Sequence, residues 1–161
     1  DSAAILANTS DTFYFGTDTW WYALNVSGAI RALVNCGYAN QYNDEIGGLL
    51  TTLVGLIDET DGVGGLVQDT AYAVLAFNSI GGAANKYAND LGRWLASKQE
   101  TNGSWLEDVD EYPEVDGEAL RALSSTIGSN VTFDGFNFGS DQGLNSSWRR
   151  NINSEALPYG D

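Results

Sequence analysis

The feature that most constrains this chain is a recurrence. Gly28-Ala29-Ile30-Arg31-Ala32-Leu33 returns 90 positions later as Glu118-Ala119-Leu120-Arg121-Ala122-Leu123. Tyr72-Ala73-Val74-Leu75-Ala76-Phe77 lies between them with the same pattern of small and large residues. A second element falls between these copies, where Glu59-Thr60-Asp61-Gly62 matches Glu100-Thr101-Asn102-Gly103. A period of about 45 residues is the mark of a stacked array, whose unit is too small to bury its apolar face alone.

Each unit reads as helix, loop, helix, Gly-rich loop. A first helix is expected from about Thr19 to Asn35, with Trp20, Ala23, Val26, Ile30 and Leu33 three or four apart on one face. A second is expected from Asn43 to Glu59, with Ile46, Leu49, Leu50, Leu53, Leu56 and Ile57 on its stripe, Asn43 and Asp44 as N-caps, and Asp61-Gly62 as its stop. The third should cover Gln68 to Ser79 and end at Gly81-Gly82, the fourth Asn85 to Lys98, and the fifth Asp116 to Ile127 with Asp116 as its cap. Past Gly128 the helical stripe fades. There Val131-Thr132-Phe133 and Phe136-Asn137-Phe138 flank Asp134-Gly135, the signal for a tight hairpin, and the aromatic Thr12-Phe13-Tyr14-Phe15 could pair with it. The fold expected is therefore all-α: five main helices forming about two and a half αα-hairpins, with an irregular C-terminal tail that holds a short β-hairpin. Residues 1–18 read as an extended arm, 19–128 as the αα-hairpin repeat domain, and 129–161 as a tail packed on the body or on a neighbouring subunit.

Charge and composition narrow the partners. The chain has 161 residues, with 22 Asp and Glu against seven Lys and Arg, a net charge of -15. Only Arg149-Arg150 places two cations side by side, so the clustered positive charge that phosphate backbones require is missing and no nucleic-acid partner is expected. No run approaches the roughly 20 apolar residues of a membrane span. Five glycosylation sequons, at Asn8, Asn25, Asn102, Asn130 and Asn145, together with the absence of Met, point to an extracellular chain from which a signal peptide has been removed. The single Cys36 rules out an internal disulfide, and its place on an apolar helix predicts a buried thiol.

The stretch from Leu91 to Trp105 resembles the QW motif of squalene and oxidosqualene cyclases, on Gln99, Gly103 and Trp105. The resemblance to prenyltransferase and squalene-cyclase-like αα repeats covers about residues 19 to 127, continues in Glu114-Val115-Asp116-Gly117-Glu118, and implies a partial α/α toroid. In such a motif Gln99 would bond exposed carbonyls at a helix end while the Trp105 indole stacks over the junction. Active cyclases of this family carry an Asp-x-Asp-Asp motif running into Thr-Ala, with the central Asp as proton donor. Here the matching place reads Val67-Gln68-Asp69-Thr70-Ala71, so Gln68 stands at the donor position and only the last acid, Asp69, is kept. The zinc chemistry of the prenyltransferase branch uses a His ligand, and this chain has none.

The same lack of His removes the base that Ser or Cys nucleophiles need. Glu107, Asp108, Asp110, Glu111, Glu114, Asp116 and Glu118 form an acidic run, read first as a wet surface loop and, alternatively, as a Ca²⁺ site using oxygens of Asp108, Asp110 and Asp116. No cofactor is otherwise expected. The reading that follows is a non-catalytic extracellular structural protein, self-associating as a homo-oligomer or as the subunit of a filament, sheath or surface layer. The alternatives are a secreted carbohydrate-binding or adhesive module using glycan contacts, and a fragment of an α/α-toroid polysaccharide-degrading enzyme in which Glu114 and Glu118 would act.

Overall fold

The computed structural model describes residues 22–126, Ala3 and Ala4, and the backbone of residues 132, 133, 136 and 137. Of the expected extended arm 1–18 only Ala3 and Ala4 are described, and they are helical rather than extended; the rest of the arm, Trp20 and Trp21, and most of the expected tail lie outside the described residues. The chain is all-α with short β elements. Its described order is α1 (Tyr22–Asn35), α2 (Asn43–Gly55), β1 (Ile57–Asp58), β2 (Gly62–Val63), α3 (Val67–Ile80), a 3-10 turn (Gly82–Ala84), α4 (Asn85–Ser97), β3 (Leu106–Glu107), β4 (Asp110–Glu111), α5 (Pro113–Ser125), β5 (Thr132–Phe133) and β6 (Phe136–Asn137). The strands pair antiparallel in three separate hairpins, β1 with β2, β3 with β4 and β5 with β6, and the backbone of Phe133 is paired with that of Phe136 across the expected Asp134-Gly135 turn.

Helix α3 is the centre. Val67, Asp69, Thr70, Ala71 and the run from Ala73 to Phe77 are all buried, which covers every side of the helix. A helix buried all round must be enclosed by others. It is: α1, α4 and α5 all pack against α3, α2 packs on α1, and α4 also touches α5. The recurrent segments supply this inner row. Ala29, Ala73 and Ala119 are buried at matching positions, as are Leu33, Phe77 and Leu123, so small residues let the helices approach and large ones fill the space between. At the far end Asn78 of α3 donates to the Ser125 carbonyl and hydroxyl of α5, both at 2.8 Å.

The helix ends depart from the expected ones for local reasons. Helix α1 closes in a Schellman motif: Tyr38 N–H bonds the Leu33 carbonyl at 2.9 Å and Gly37 N–H that of Val34 at 3.1 Å, with Gly37 at φ +82. That turn carries Cys36 beyond the helix, so the thiol is exposed and not buried as expected. Helix α2 stops at Gly55 rather than Glu59. Asp58 Oδ1 accepts from Thr60 N–H and hydroxyl, both at 2.7 Å, and from Asp61 N–H at 3.1 Å, a local alternative that outcompetes another helical turn. Asn43 and Asp44 lie inside the first turn of α2 and do not cap it; Tyr42 is the cap residue, without a side-chain bond. Helix α5 begins at Pro113, whose fixed φ and missing N–H suit the first helical position, so Asp116 falls at the fourth residue and is not the cap.

Candidate functional site

Two loops do the same work in the two helix pairs. In the loop between α2 and α3, Trp94 reaches across from α4 and donates its indole N–H to the Thr60 carbonyl at 2.9 Å. Gly62, at φ +70, presses on that ring: a Cβ there would lie 2.7 Å from Thr70 Oγ1 and 2.9 Å from Trp94 Cδ2. Thr70 Oγ1 then accepts the Val63 N–H at 2.9 Å. In the loop between α4 and α5, Asp116 Oδ1 accepts the Trp105 N–H at 2.7 Å. Thr70 and Asp116 are each the fourth residue of their helix, and each takes a backbone N–H from the loop before it.

The motif residues Gln99, Gly103 and Trp105 are brought together, with the parts exchanged. Gln99 Nε2 donates to the Gly103 carbonyl at 2.8 Å inside its own loop, while the fully buried Trp105 donates its indole N–H to the Leu95 carbonyl at 2.7 Å. The Leu95 carbonyl in the last turn of α4, which also takes the Lys98 N–H at 3.1 Å, is therefore met by Trp105, and Gln99 holds the turn that delivers the indole.

One more residue couples the two loops. Glu107, on β3, accepts the Val67 N–H at 2.6 Å and the Gln68 N–H at 3.3 Å, capping α3 from 40 residues away. The local cap residue, Leu66, has no side chain able to do so. This puts the Glu107 carboxylate beside Asp69 at a pocket lined by Leu24, Leu66, Gln68, Tyr112, Glu114 and Val115 as well. Asp69 is 5% exposed, and burial, with the Glu107 charge second, pushes its carboxyl up to about 7. Burial also raises Glu107 above the usual carboxylate range, opposed by its two backbone hydrogen bonds. Asp116 is raised by burial against the pull of the Trp105 N–H. A carboxyl that stays protonated near neutrality can donate a proton or a hydrogen bond. Gln68 stands at the donor position of the sequence motif, whereas the acid that the fold buries is Asp69, because it lies in the first turn of a helix enclosed by α1, α4 and α5.

The remaining expected residues are dispersed. Asp108 and Asp110 are exposed on the β3–β4 hairpin, where Asp108 adopts φ 58, and Asp116 is committed to Trp105. Among the described residues no group of three acidic, His or Cys side chains is placed to hold a metal ion, so Asp108, Asp110 and Asp116 do not form the expected Ca²⁺ site. Glu114 and Glu118 lie one turn apart on α5; Glu114 lines the pocket, while Glu118 accepts a hydrogen bond from the Tyr72 hydroxyl. Of the sequons, Asn25 is half-buried within α1 and its Ser27 is fully buried, so the folded chain does not present it. Asn102 is exposed, and its Oδ1 accepts the Ser104 hydroxyl at 2.8 Å and N–H at 3.1 Å. Asn8, Asn130 and Asn145 lie outside the described residues. No helix among the described residues is long and apolar enough to cross a membrane. Compared with family models, with curated proteins and with solved structures, the chain matches none.

Proposed function

We propose that the chain is a non-catalytic extracellular αα-hairpin module, a sector of the toroid seen in prenyltransferase and squalene-cyclase-like repeats, that works as a self-associating structural subunit. One observation carries the reading: the conspicuous polar side chains of the two loops are committed to backbone groups of the fold. Thr70, Trp94, Gln99, Trp105, Glu107 and Asp116 each bond a loop or helix-end peptide. Such side chains fix the stacking of helix pairs. Self-association is supported by the β3–β4 hairpin, which leaves Leu106 41% and Val109 80% exposed, with Tyr112 45% exposed directly after it. With a net charge of -15, copies repel at low salt, so assembly should need screening. Sedimentation and electron microscopy across a salt series test this: ordered assemblies that grow with salt and vanish in Val109→Asp support it, and a monomer at every salt concentration overturns it.

A second reading rests on Asp69. Its near-neutral carboxyl beside Glu107 and Glu114 suits a polysaccharide-degrading enzyme with Asp69 as general acid. An activity screen on polysaccharides, with Asp69→Asn as control, separates the two: turnover abolished by Asp69→Asn favours the enzyme, and turnover unaffected by it removes this reading.

A further inference from the structure

The pocket at the N-terminal ends of α3 and α5 holds charge that its own groups leave uncompensated. Asp69 lines it, nine-tenths buried, and the influences on its carboxylate are burial and the Glu107 carboxylate, with no hydrogen-bond donor among the described residues. Glu107 is fixed by two backbone N–H groups, and its charged neighbours Asp108 and Glu118 are carboxylates too. Glu114 of α5 lines the same space, and no Lys or Arg among the described residues does. Two helix N-termini offset part of this charge. The rest calls for a proton or a bound cation.

The shape of the pocket selects the cation. Leu24 of α1, Leu66 and Val115 form apolar walls around a volume of about 110 Å³. That is smaller than the ~150 Å³ cavity that admits benzene, so it encloses a short unbranched chain more fully than a ring. A divalent metal lacks the ligands, because no three suitable side chains converge among the described residues. A neutral polyol would leave the charge unmet.

We propose that this pocket binds an alkylammonium group, its carbon stem on Leu24, Leu66 and Val115 and its charged head between Asp69 and Glu107. The site stands independently of self-association. The head group replaces the proton that Asp69 otherwise holds, so binding weakens as acid returns that proton. A lysine side chain of a partner and a free aliphatic amine share this chemistry.

Titration of the ¹⁵N-labelled full chain with n-butylammonium chloride at about pH 8, against n-butanol as the uncharged control, tests the site. The expected result is a saturable shift of the Val67, Gln68 and Asp69 amides, at least about tenfold stronger for the amine than for the alcohol, and about tenfold weaker at pH 5. Asp69→Asn, shown folded by circular dichroism, should lose the response; if that variant fails to fold, the pH comparison on the unaltered protein decides. Tighter binding of Nα-acetyl-lysine amide assigns the site to a protein lysine, and tighter binding of n-butylammonium to a free amine. No saturable shift, equal response to amine and alcohol, or undiminished binding by folded Asp69→Asn overturns the proposal.

Discussion

Glu107 caps a helix to which it does not belong: its carboxylate takes the Val67 N–H at 2.6 Å, joining the β3–β4 hairpin to the first turn of α3. Without it the buried start of the central helix would present unmet N–H groups. Glu107→Ala should therefore lower stability by about 0.5 to 2 kcal/mol, the range for loss of a helix cap. Urea unfolding followed by circular dichroism measures it, and an unchanged midpoint would contradict the capping role.

The Trp105 side chain combines a buried ring with one indole hydrogen bond, to the Leu95 carbonyl. Trp105→Phe keeps most of the packing and removes the indole hydrogen bond, while the Lys98 N–H still meets that carbonyl at 3.1 Å, a loss of about 0.5 to 1.5 kcal/mol. Trp105→Ala also opens a cavity and should lose about 3 to 5 kcal/mol. Denaturant midpoints of the two variants should fall in that order; equal midpoints would mean that the indole N–H carries the whole effect.

Gly62 and Gly65 separate backbone strain from crowding. Both have positive φ, +70 and +76, but an added Cβ meets Thr70 and Trp94 only at Gly62. Gly65→Ala should lose about 1 kcal/mol from conformation alone, and Gly62→Ala clearly more, about 2 to 4 kcal/mol, since two packed side chains must shift. Thermal unfolding of the pair checks the difference.

Asp69 makes stability depend on pH in the direction opposite to a salt-bridged acid. Its folded value of about 7 lies above the ordinary 3.8, so the folded state holds its proton more tightly. The stabilising contribution is full below about pH 4, is lost as pH rises toward 7, and is absent above it. At pH 8 Asp69→Asn should be more stable than the parent by about 2 to 4 kcal/mol, and at pH 4 nearly equal to it. Urea titrations at the two pH values test the sign; a parent chain favoured at pH 8 would contradict it.

Much of the helical body was legible because burial follows the 3.6-residue period. Val26, Ile30 and Leu33, like Leu49 and Leu53, were marked as inward by spacing alone and are buried. The ends were less so. Leu56 and Ile57 continue the α2 stripe, yet Asp58 forms a turn whose strength depends on Thr60 and Asp61 rather than on hydrophobicity. At the start of α5 two signals compete, Pro113 as a first helical residue and Asp116 as a cap, and the chain uses the proline. The pocket was hidden for a different reason. Asp69 and Glu107 are 38 positions apart, and nothing local in the acidic run distinguishes Glu107, which turns inward to a helix end, from Asp108, which stays exposed.

Native-state hydrogen exchange read by NMR tests most directly whether loop side chains lock the helix pairs together. The Val63, Val67 and Trp105 amides, bound by Thr70, Glu107 and Asp116, should exchange slowly, and each should lose protection when its own acceptor is replaced by Ala. Fast exchange of all three in the parent chain, or protection indifferent to those replacements, would contradict the account.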